Sequence, residues 1–541
     1  MIRAKILNFL LFLISVVFFS YLFYIQCFKH EYYELRARQQ HEKKFVLLGA
    51  RGNIYDRNGT PIATSEPCFS IFCTPRYTHD VVRLGRELAK VSGAPLSQIK
   101  KQIAGREFFW VEMKVDQKQR DRYLTIDDPS IGFTHDLNRR YNMPEIFASL
   151  LGKCGSDNRG IEGLELQFDD VLSGDSGFAV YQKDPTGDIF PYHNHPEKAP
   201  QPGSNIYLTI DLQLQAILCQ KLKECFERES AQSVSGLIIE PKTGDILAMV
   251  NVGQNGDHRN HIICDEFEPG STFKLIPLTF ALQNGAEATD VIDTETGKIR
   301  VRGHLINDYR DYGVVTLRQA IAHSSNVAMV KVSKKFDREG FLLLVRDFGF
   351  GELTGIEFPG EVRGRLPDAK KMNDVEFATL AFGQGLTVNL LQLAMAYQAI
   401  ANEGILYKPT VLKEITDTRK TIHETNPLRI RRVVDESTAR RVTDILCAVV
   451  EEGSGTAAAF NDMKIAGKTG TAQKVVDGQY SNSAIIATFV GYFPAEAPDY
   501  LIVLMIDEPK SGLWASTIAA PVFREVAQSV YQMNSHHYAA K

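Results

Sequence analysis

The stretch Glu268-Pro269-Gly270-Ser271-Thr272-Phe273-Lys274 opens an apolar run that continues to Gln283. Proline and glycine ahead of a helical pattern mark a helix start. Residues three apart on a helix share a face, so Lys274 Nζ reaches Ser271 Oγ. A serine hydroxyl is a weak nucleophile until a neighbouring base takes its proton. Lysine is that base only when burial or a nearby cation lowers its pKa. The stretch therefore predicts a nucleophile and its base on the first turn of a buried helix.

Two further triplets bear on the same chemistry. His323-Ser324-Ser325-Asn326 falls between short helical patterns at 317–322 and 327–336. There Ser324 can relay a proton, and Asn326 offers an amide to orient a peptide. Lys468-Thr469-Gly470-Thr471 lies within 465–473, ahead of apolar strands. With no side chain, Gly470 lets a substrate or a helix approach its strand closely. None of these triplets is specific alone, because the chain repeats each one in the same order: Ser97/Lys100, Ser156-Asp157-Asn158 and Lys242-Thr243-Gly244. Context separates the two sets. Ser97 lies in a polar, lysine-rich helical pattern, Ser156 in a Gly/Asn-rich loop, and Lys242 in a hairpin turn. Ser271, Ser324 and Lys468 fall in one predicted domain. Histidines such as His323 read as structural or exposed rather than catalytic.

Working outward, residues 205–210 are strand-like and Asp211 can cap a helix running towards Glu229. A hairpin follows at 235–240 and 245–251. Apolar strands at 484–493 and 500–507 precede a last helix at 519–531. Strands at both ends with helices between them predict one antiparallel sheet packed by helices, an α+β domain. Upstream, residues 50–63 read as two short strands around the Asn58-Gly59 turn. Mixed short patterns then suggest an α+β module, closed by a proline-bearing linker at 193–203. Residues 31–44 are charged and helix-prone, a stalk.

Residues 6–28 carry no charge, and at about 1.5 Å per residue they span the ~30 Å hydrocarbon layer. A cleaved signal peptide would have a shorter apolar run and a small-x-small cleavage site, neither of which is seen. The reading is an uncleaved anchor. Arg3 and Lys5 precede it, but Lys29, Arg36, Arg38, Lys43 and Lys44 follow. A basic-residue count would put the large domain inside. Long domains translocate largely regardless of such charge.

A chain of 541 residues accommodates an anchor plus two or more domains. With 44% hydrophobic and 23% charged residues it is globular rather than disordered. A net charge of −4 argues against a nucleic-acid partner. The eight cysteines show no Cys-x-x-Cys pair and no Cys/His cluster, so no structural metal is expected. Cys68 and Cys73 could pair in an oxidising compartment; buried thiols are the other reading.

The Ser271, Ser324 and Lys468 triplets are those of penicillin-binding proteins and class A β-lactamases. The chain resembles class B penicillin-binding proteins over nearly its full length. Supporting segments are RGNIYDRNG (51–59), GIEGLELQFDDVLSG (160–174), LTIDLQLQ (208–215), IIEPKTGDILAM (238–249), FGQGLTVNLLQLA (382–394), GSGTAAA (453–459) and AAPVF (519–523). The resemblance implies a tail at 1–5, a transmembrane anchor at 6–28, a non-catalytic α+β pedestal for dimerisation or docking at 29–204, a transpeptidase domain of the serine β-lactamase-like fold at 205–533, and a tail at 534–541. It implies a peptidoglycan D,D-transpeptidase with catalytic Ser271, Lys274, Ser324, Asn326 and Lys468. Thr469, Gly470 and Thr471 would bind substrate, and the Ser271 and Thr471 N–H groups would form the oxyanion hole. No cofactor and no metal is implied. Partners would be peptidoglycan stem peptides, β-lactam antibiotics, a polytopic membrane glycosyltransferase and other division proteins. The catalytic domain would face outward from the cytoplasmic membrane. FGQGLTV looks more like the division branch than the elongation branch. Alternatives are an elongation-type enzyme, a D,D-carboxypeptidase, or a non-enzymatic division scaffold. A β-lactamase would need a water-activating glutamate motif, which is not seen. Arg51, Gly52, Asp56, Arg57 and Glu165 would pin the pedestal, through Arg51–Asp56 and Arg57–Glu165 pairs. The segment between Asn251 and Arg259 is short and lacks the family's usual proline.

Overall fold

The computed structural model describes all residues except 105–107, 184–188, 192–196, 254–258, 418–419, 461–462, 477 and 534–541. The expected linker and the short segment after Asn251 lie partly outside the described residues, and the expected tail wholly so. The chain forms two units that are not consecutive stretches. The larger comprises Gly52–Glu66, Asn138–Leu172 and Ser204–Lys541, the smaller Met1–Arg51, Pro67–Leu137 and Ser173–Gly203.

The larger unit is built on a five-stranded sheet. Its strands are β1 (Ser233–Ile239), β2 (Ile246–Gly253), β3 (Ala466–Val476), β4 (Gln479–Phe493) and β5 (Tyr500–Asp507), in the spatial order β2-β1-β5-β4-β3. Every pairing is antiparallel. Around it lie α1 (Leu212–Glu229), α2 (Leu275–Gln283), α3 (Leu317–Ala322), α4 (Asn326–Ser333), α5 (Leu390–Ala401), α6 (Glu436–Glu451) and α7 (Ala519–Met533).

Side chains alternate across a strand, and here both sets are apolar. Leu237, Ile239, Leu501, Val503 and Met505 join a core that contains α2, α5 and α6. Ile238, Ile502, Leu504 and Ile506 join a second core with Leu218 and Leu222 of α1 and Phe523 and Val526 of α7. The sheet is thus sandwiched between helical layers, and each fully buried Leu or Ile contributes about 1.5–3 kcal/mol. All residues of α5 are buried, so its sequence is apolar nearly all round, and its two glutamines, Gln392 and Gln398, donate to backbone carbonyls. As expected, Asp211 caps α1 by accepting from the Gln213 and Leu214 N–H groups.

The 50–63 stretch forms the predicted turn. Ile54 pairs with Ala63 and, in parallel, with Ile206. The Asp56 carboxylate accepts from the N–H groups of Asn58, Thr60 and Leu212, while Arg51 donates to Ser173 Oγ. A Cβ on Gly52 would sit 1.8 Å from the Ser204 carbonyl oxygen, so no other residue fits there. The expected Arg57–Glu165 pair is not formed. Buried Glu165 takes Arg139 instead, Nε to Oε1 at 2.7 Å, and Arg139 also donates to the Gly52 carbonyl at 2.7 Å. Truncating one partner of a buried pair strands the other charge. Glu165→Ala is therefore expected to destabilise the larger unit by about 3–5 kcal/mol, read as a fall in the denaturation midpoint.

In the smaller unit a 27-residue helix, Ile2–Phe28, buries none of its residues. It is long and apolar enough to cross a membrane once. The stalk helix is shorter than expected: His30–His41 is helical, but Glu42–Leu47 is a strand antiparallel to Gly177–Lys183. Phe45-Val46-Leu47 favours that pairing over a continued helix. A separate core of Ile71, Leu84, Leu88, Ile99, Phe109 and Tyr123 holds the rest. Cys68 and Cys73 are buried thiols rather than a disulfide, and burial pushes both up to about 11.

Candidate active site

Ser271 does not open an α-helix directly. Gly270–Lys274 is a 3-10 turn, and α2 begins at Leu275. With three residues per turn, positions i and i+3 eclipse. Lys274 Nζ accordingly lies 3.0 Å from Ser271 Oγ. Backbone packs against backbone at this turn. Gly383 has a positive φ of 86°, and a Cβ there would come within 2.0 Å of the Gly270 carbonyl oxygen.

Lys274 is wholly buried. Its Nζ also meets the Ser324 carbonyl at 2.6 Å, Ser324 Oγ at 3.1 Å and Asn326 Oδ1 at 2.7 Å. Ser324 has a left-handed φ of 61°. A non-glycine residue holds that conformation only where its surroundings over-determine it, and here it aims the carbonyl at Lys274. Asn326 opens α4, whose N-terminus is fixed by Asp308. That carboxylate accepts from Ser325 Oγ at 2.6 Å, Asn326 N at 2.5 Å and Val327 N at 3.0 Å.

Lys468 comes from the edge strand β3. It is wholly buried and donates to Ser324 Oγ at 3.0 Å and to the Thr469 carbonyl at 3.1 Å. The Ser324 hydroxyl thus sits between two lysine amines. Burial, then the charge of Lys468, holds Lys274 well below the usual lysine range, while Asp308 pulls it back up. Burial holds Lys468 down to about 7. A neutral Lys274 has two N–H groups and one lone pair. The Ser324 carbonyl and Asn326 Oδ1 can only accept, so they use both N–H groups. The lone pair is left for a hydroxyl.

The glycine of β3 serves close approach, as expected, but what approaches is the Ser271 turn. A Cβ on Gly470 would meet Thr488 Oγ1 at 2.4 Å and Thr272 Cγ2 at 2.7 Å. Thr469 Oγ1 shares a 2.7 Å hydrogen bond with Ser454 Oγ, and Thr471 Oγ1 accepts from Ala515 N at 3.0 Å. A cavity of about 590 Å³ and another of about 410 Å³ both reach Ser271, Asn326 and Thr471. The repeated triplets fall in a helix, a loop and a turn. Ser97 and Lys100 are exposed on the helix Leu96–Ile103, exposed Ser156 lies in a loop, and Lys242-Thr243-Gly244 is the turn between β1 and β2.

Sequence reading overlooked Asp308, Arg310, Tyr312 and Trp514. Asp308 had a detectable signal, since a carboxylate is a standard partner for a helix N-terminus; the others lie in loops without pattern. His323 is half-buried and stacks on Tyr312 with ring centroids 5.4 Å apart. No group of three or more potential metal ligands occurs among the described residues.

An amine poised in this way can take the proton of the hydroxyl beside it, and the fold and site together are those of a serine acyltransferase. The comparisons narrow the class. Residues 234–528 match the penicillin binding protein transpeptidase domain, and residues 47–208 the penicillin-binding protein dimerisation domain. The peptidoglycan D,D-transpeptidase FtsI of Escherichia coli K12 is 32% identical over 502 residues, covering 89% of this chain and 83% of that protein. Stage V sporulation protein D of Bacillus subtilis 168 is 30% identical over 546 residues, covering 96% and 84%. The structure of penicillin binding protein 3 from Mycobacterium tuberculosis with aztreonam matches at a TM-score of 0.71 and 26% identity, over 91% of this chain and 97% of that one. The chain belongs to the class B penicillin-binding proteins, the serine-type peptidoglycan D,D-transpeptidases.

Proposed function

We propose that Ser271 attacks the carbonyl of the penultimate D-alanine of a stem peptide, forms an acyl-enzyme and releases the terminal D-alanine. The observation that carries this reading is the Lys274 amine, buried and 3.0 Å from Ser271 Oγ, with both its N–H groups committed to Ser324 O and Asn326 Oδ1. Lys274 accepts the Ser271 proton. Ser324, between Lys274 and Lys468, passes it to the leaving amine. The N–H groups of Ser271 and Thr471 stabilise the oxyanion. Lys468, Thr469 and Thr471 hold the substrate carboxylate, Asn326 orients the peptide, and Gly470 keeps β3 close to the nucleophile. An amine from a second stem peptide then takes the acyl group, and β-lactams acylate the same serine.

In this reading residues 6–28 anchor the chain in the cytoplasmic membrane, with 1–5 inside and the transpeptidase domain, 205–533, on the outer face where the wall is built. Residues 29–204 form a docking pedestal. The enzyme serves septal synthesis beside a separate polytopic glycosyltransferase and other division proteins. The FGQGLTV segment supports the septal assignment.

Full-length protein in detergent is expected to form a covalent adduct with a fluorescent penicillin, stable over minutes and seen by gel fluorescence and intact mass. Ser271→Ala abolishes it and Ser97→Ala keeps it. Rapid release points to a β-lactamase instead. A folded wild-type protein that never labels removes the enzyme reading and leaves the division scaffold.

A further inference from the structure

The cavity around Ser271 has two lobes with different linings. One, of about 410 Å³, runs past Ala472 and Gln473 of β3 towards Phe382, Gln384 and Ile485. The other, of about 590 Å³, contains Ser324, Ser454 and Thr469 together with Arg310, His323 and Glu452. Because Ser324 opens on the second lobe, an amine protonated by Ser324 departs through it. By microscopic reversibility the attacking amine enters the same way. This step rests on the function proposed above.

The charges of that lobe are nearly all matched. Asp308 is occupied by Ser325, Asn326 and Val327. Glu452 pairs with Arg318 at 3.2 Å. His323 is held below its usual range by burial and by the Arg310 charge, which keeps it neutral at neutral pH. Arg310 differs. It is exposed, and among the described residues it forms no ion pair with a carboxylate. Its position is nevertheless built. The guanidinium lies over the Tyr312 ring, 5.1 Å from the centroid. That ring is parallel to His323 within 4°, and its hydroxyl donates to the His323 carbonyl at 3.1 Å. A planar donor fork fixed by stacking is suited to a carboxylate.

The carboxylate at the reacting centre already has partners in Lys468, Thr469 and Thr471. We infer that Arg310 selects the acceptor by binding a second carboxylate, so that the incoming amine belongs to an amino diacid or to a peptide with a free carboxylate beyond the reactive carbon. In the transfer the amine nitrogen attacks the Ser271 ester carbonyl. The C–N bond forms, the C–Oγ bond breaks, and the amine proton returns to Ser271 Oγ by way of Ser324 and Lys274. No other reactant is consumed. Arg310 takes no part in these bonds and acts as a specificity residue.

The test uses full-length protein in detergent, an N-acyl-D-alanyl thioester as donor, and acceptor amines in pairs. D-Glutamate and the one-carbon-longer D-2-aminoadipate are each set against the corresponding side-chain amide, with D-alanine as reference. A charge-assisted pair predicts that the wild-type enzyme transfers to the better diacid about tenfold faster than to its amide. In Arg310→Gln that ratio falls to about one, and Arg310→Lys restores part of it. Penicillin labelling of Ser271, run on every protein, reports whether the nucleophile site is intact. A wild-type ratio near one for both diacids overturns the inference, as does a ratio that survives in Arg310→Gln. Equal loss of transfer to D-alanine also overturns it, by assigning Arg310 to the reacting centre's own carboxylate. A wild-type protein that does not label brings down the transpeptidase reading itself, and that outcome is distinct from the others.

Discussion

Replacing Lys274 with methionine is expected to slow penicillin acylation of Ser271 by about 10³- to 10⁴-fold, the upper part of the range for loss of a general base. Methionine matches lysine in length and flexibility and fills the same buried space. The Ser324 carbonyl and Asn326 Oδ1 lose their donor, at about 1–3 kcal/mol each. Removing an amine that burial and Lys468 disfavour offsets part of that. Stopped-flow labelling measures the rate, and a thermal melt confirms the fold. The pH profile separates a base from a structural post. In the wild type the rate rises with pH as Lys274, held well below its usual range, loses its proton. The residual rate of Lys274→Met lacks that rise. A variant within tenfold of wild type, with the same profile, would show that another group takes the proton.

The second large effect is on stability, and it runs opposite to activity. Lys468 titrates near 7 in the fold because it is buried, against about 10.4 in an unfolded chain. Between those values the unfolded chain holds a proton that the folded one lacks, so stability rises with pH across the window. At and below about 7 the whole penalty is present, on the order of a few kcal/mol. Lys468→Met escapes it. The variant is expected to melt several degrees above wild type at pH 6–7, and the advantage should disappear by about pH 10.5. Acylation falls in the same protein, because the cation facing Lys274 is gone. Equal melting temperatures at pH 6.5 would mean that the fold does not disfavour the protonated Lys468.

Much of the architecture was readable in the chain. Strand patterns at both ends of the domain with helices between them announced one antiparallel sheet packed by helices, and Asp211 announced the start of α1. The spacing of Ser271 and Lys274 predicted their contact, and the structure brings Ser324, Asn326 and Lys468 to the same point. What escaped depends on long-range context. Glu165 is paired by Arg139, 26 residues upstream, in a stretch that offers Arg139 and Arg140 as equal choices. The left-handed φ of Ser324 is imposed by its neighbours, since serine has no intrinsic preference for it. The strand Glu42–Leu47 depends on a partner 130 to 140 residues later. Stacking of Arg310 on Tyr312 involves a loop that has no periodicity to read.

The order of the strands has a consequence for biogenesis. The middle of the large sheet joins β1 to β5, and the edge strand carrying Lys468 is attached through β4. Ser271 is made at about the midpoint of the chain, but its second lysine and the strands that hold that lysine in place come almost last. The nascent chain therefore carries the nucleophile through most of the second half of its synthesis without the environment that lowers the pKa of Lys274. Reactivity arrives only when Tyr500–Asp507 inserts between β1 and β4. The polypeptide stays chemically silent until it is essentially complete, and a chain truncated before that strand will neither react with penicillin nor titrate it away from finished enzyme.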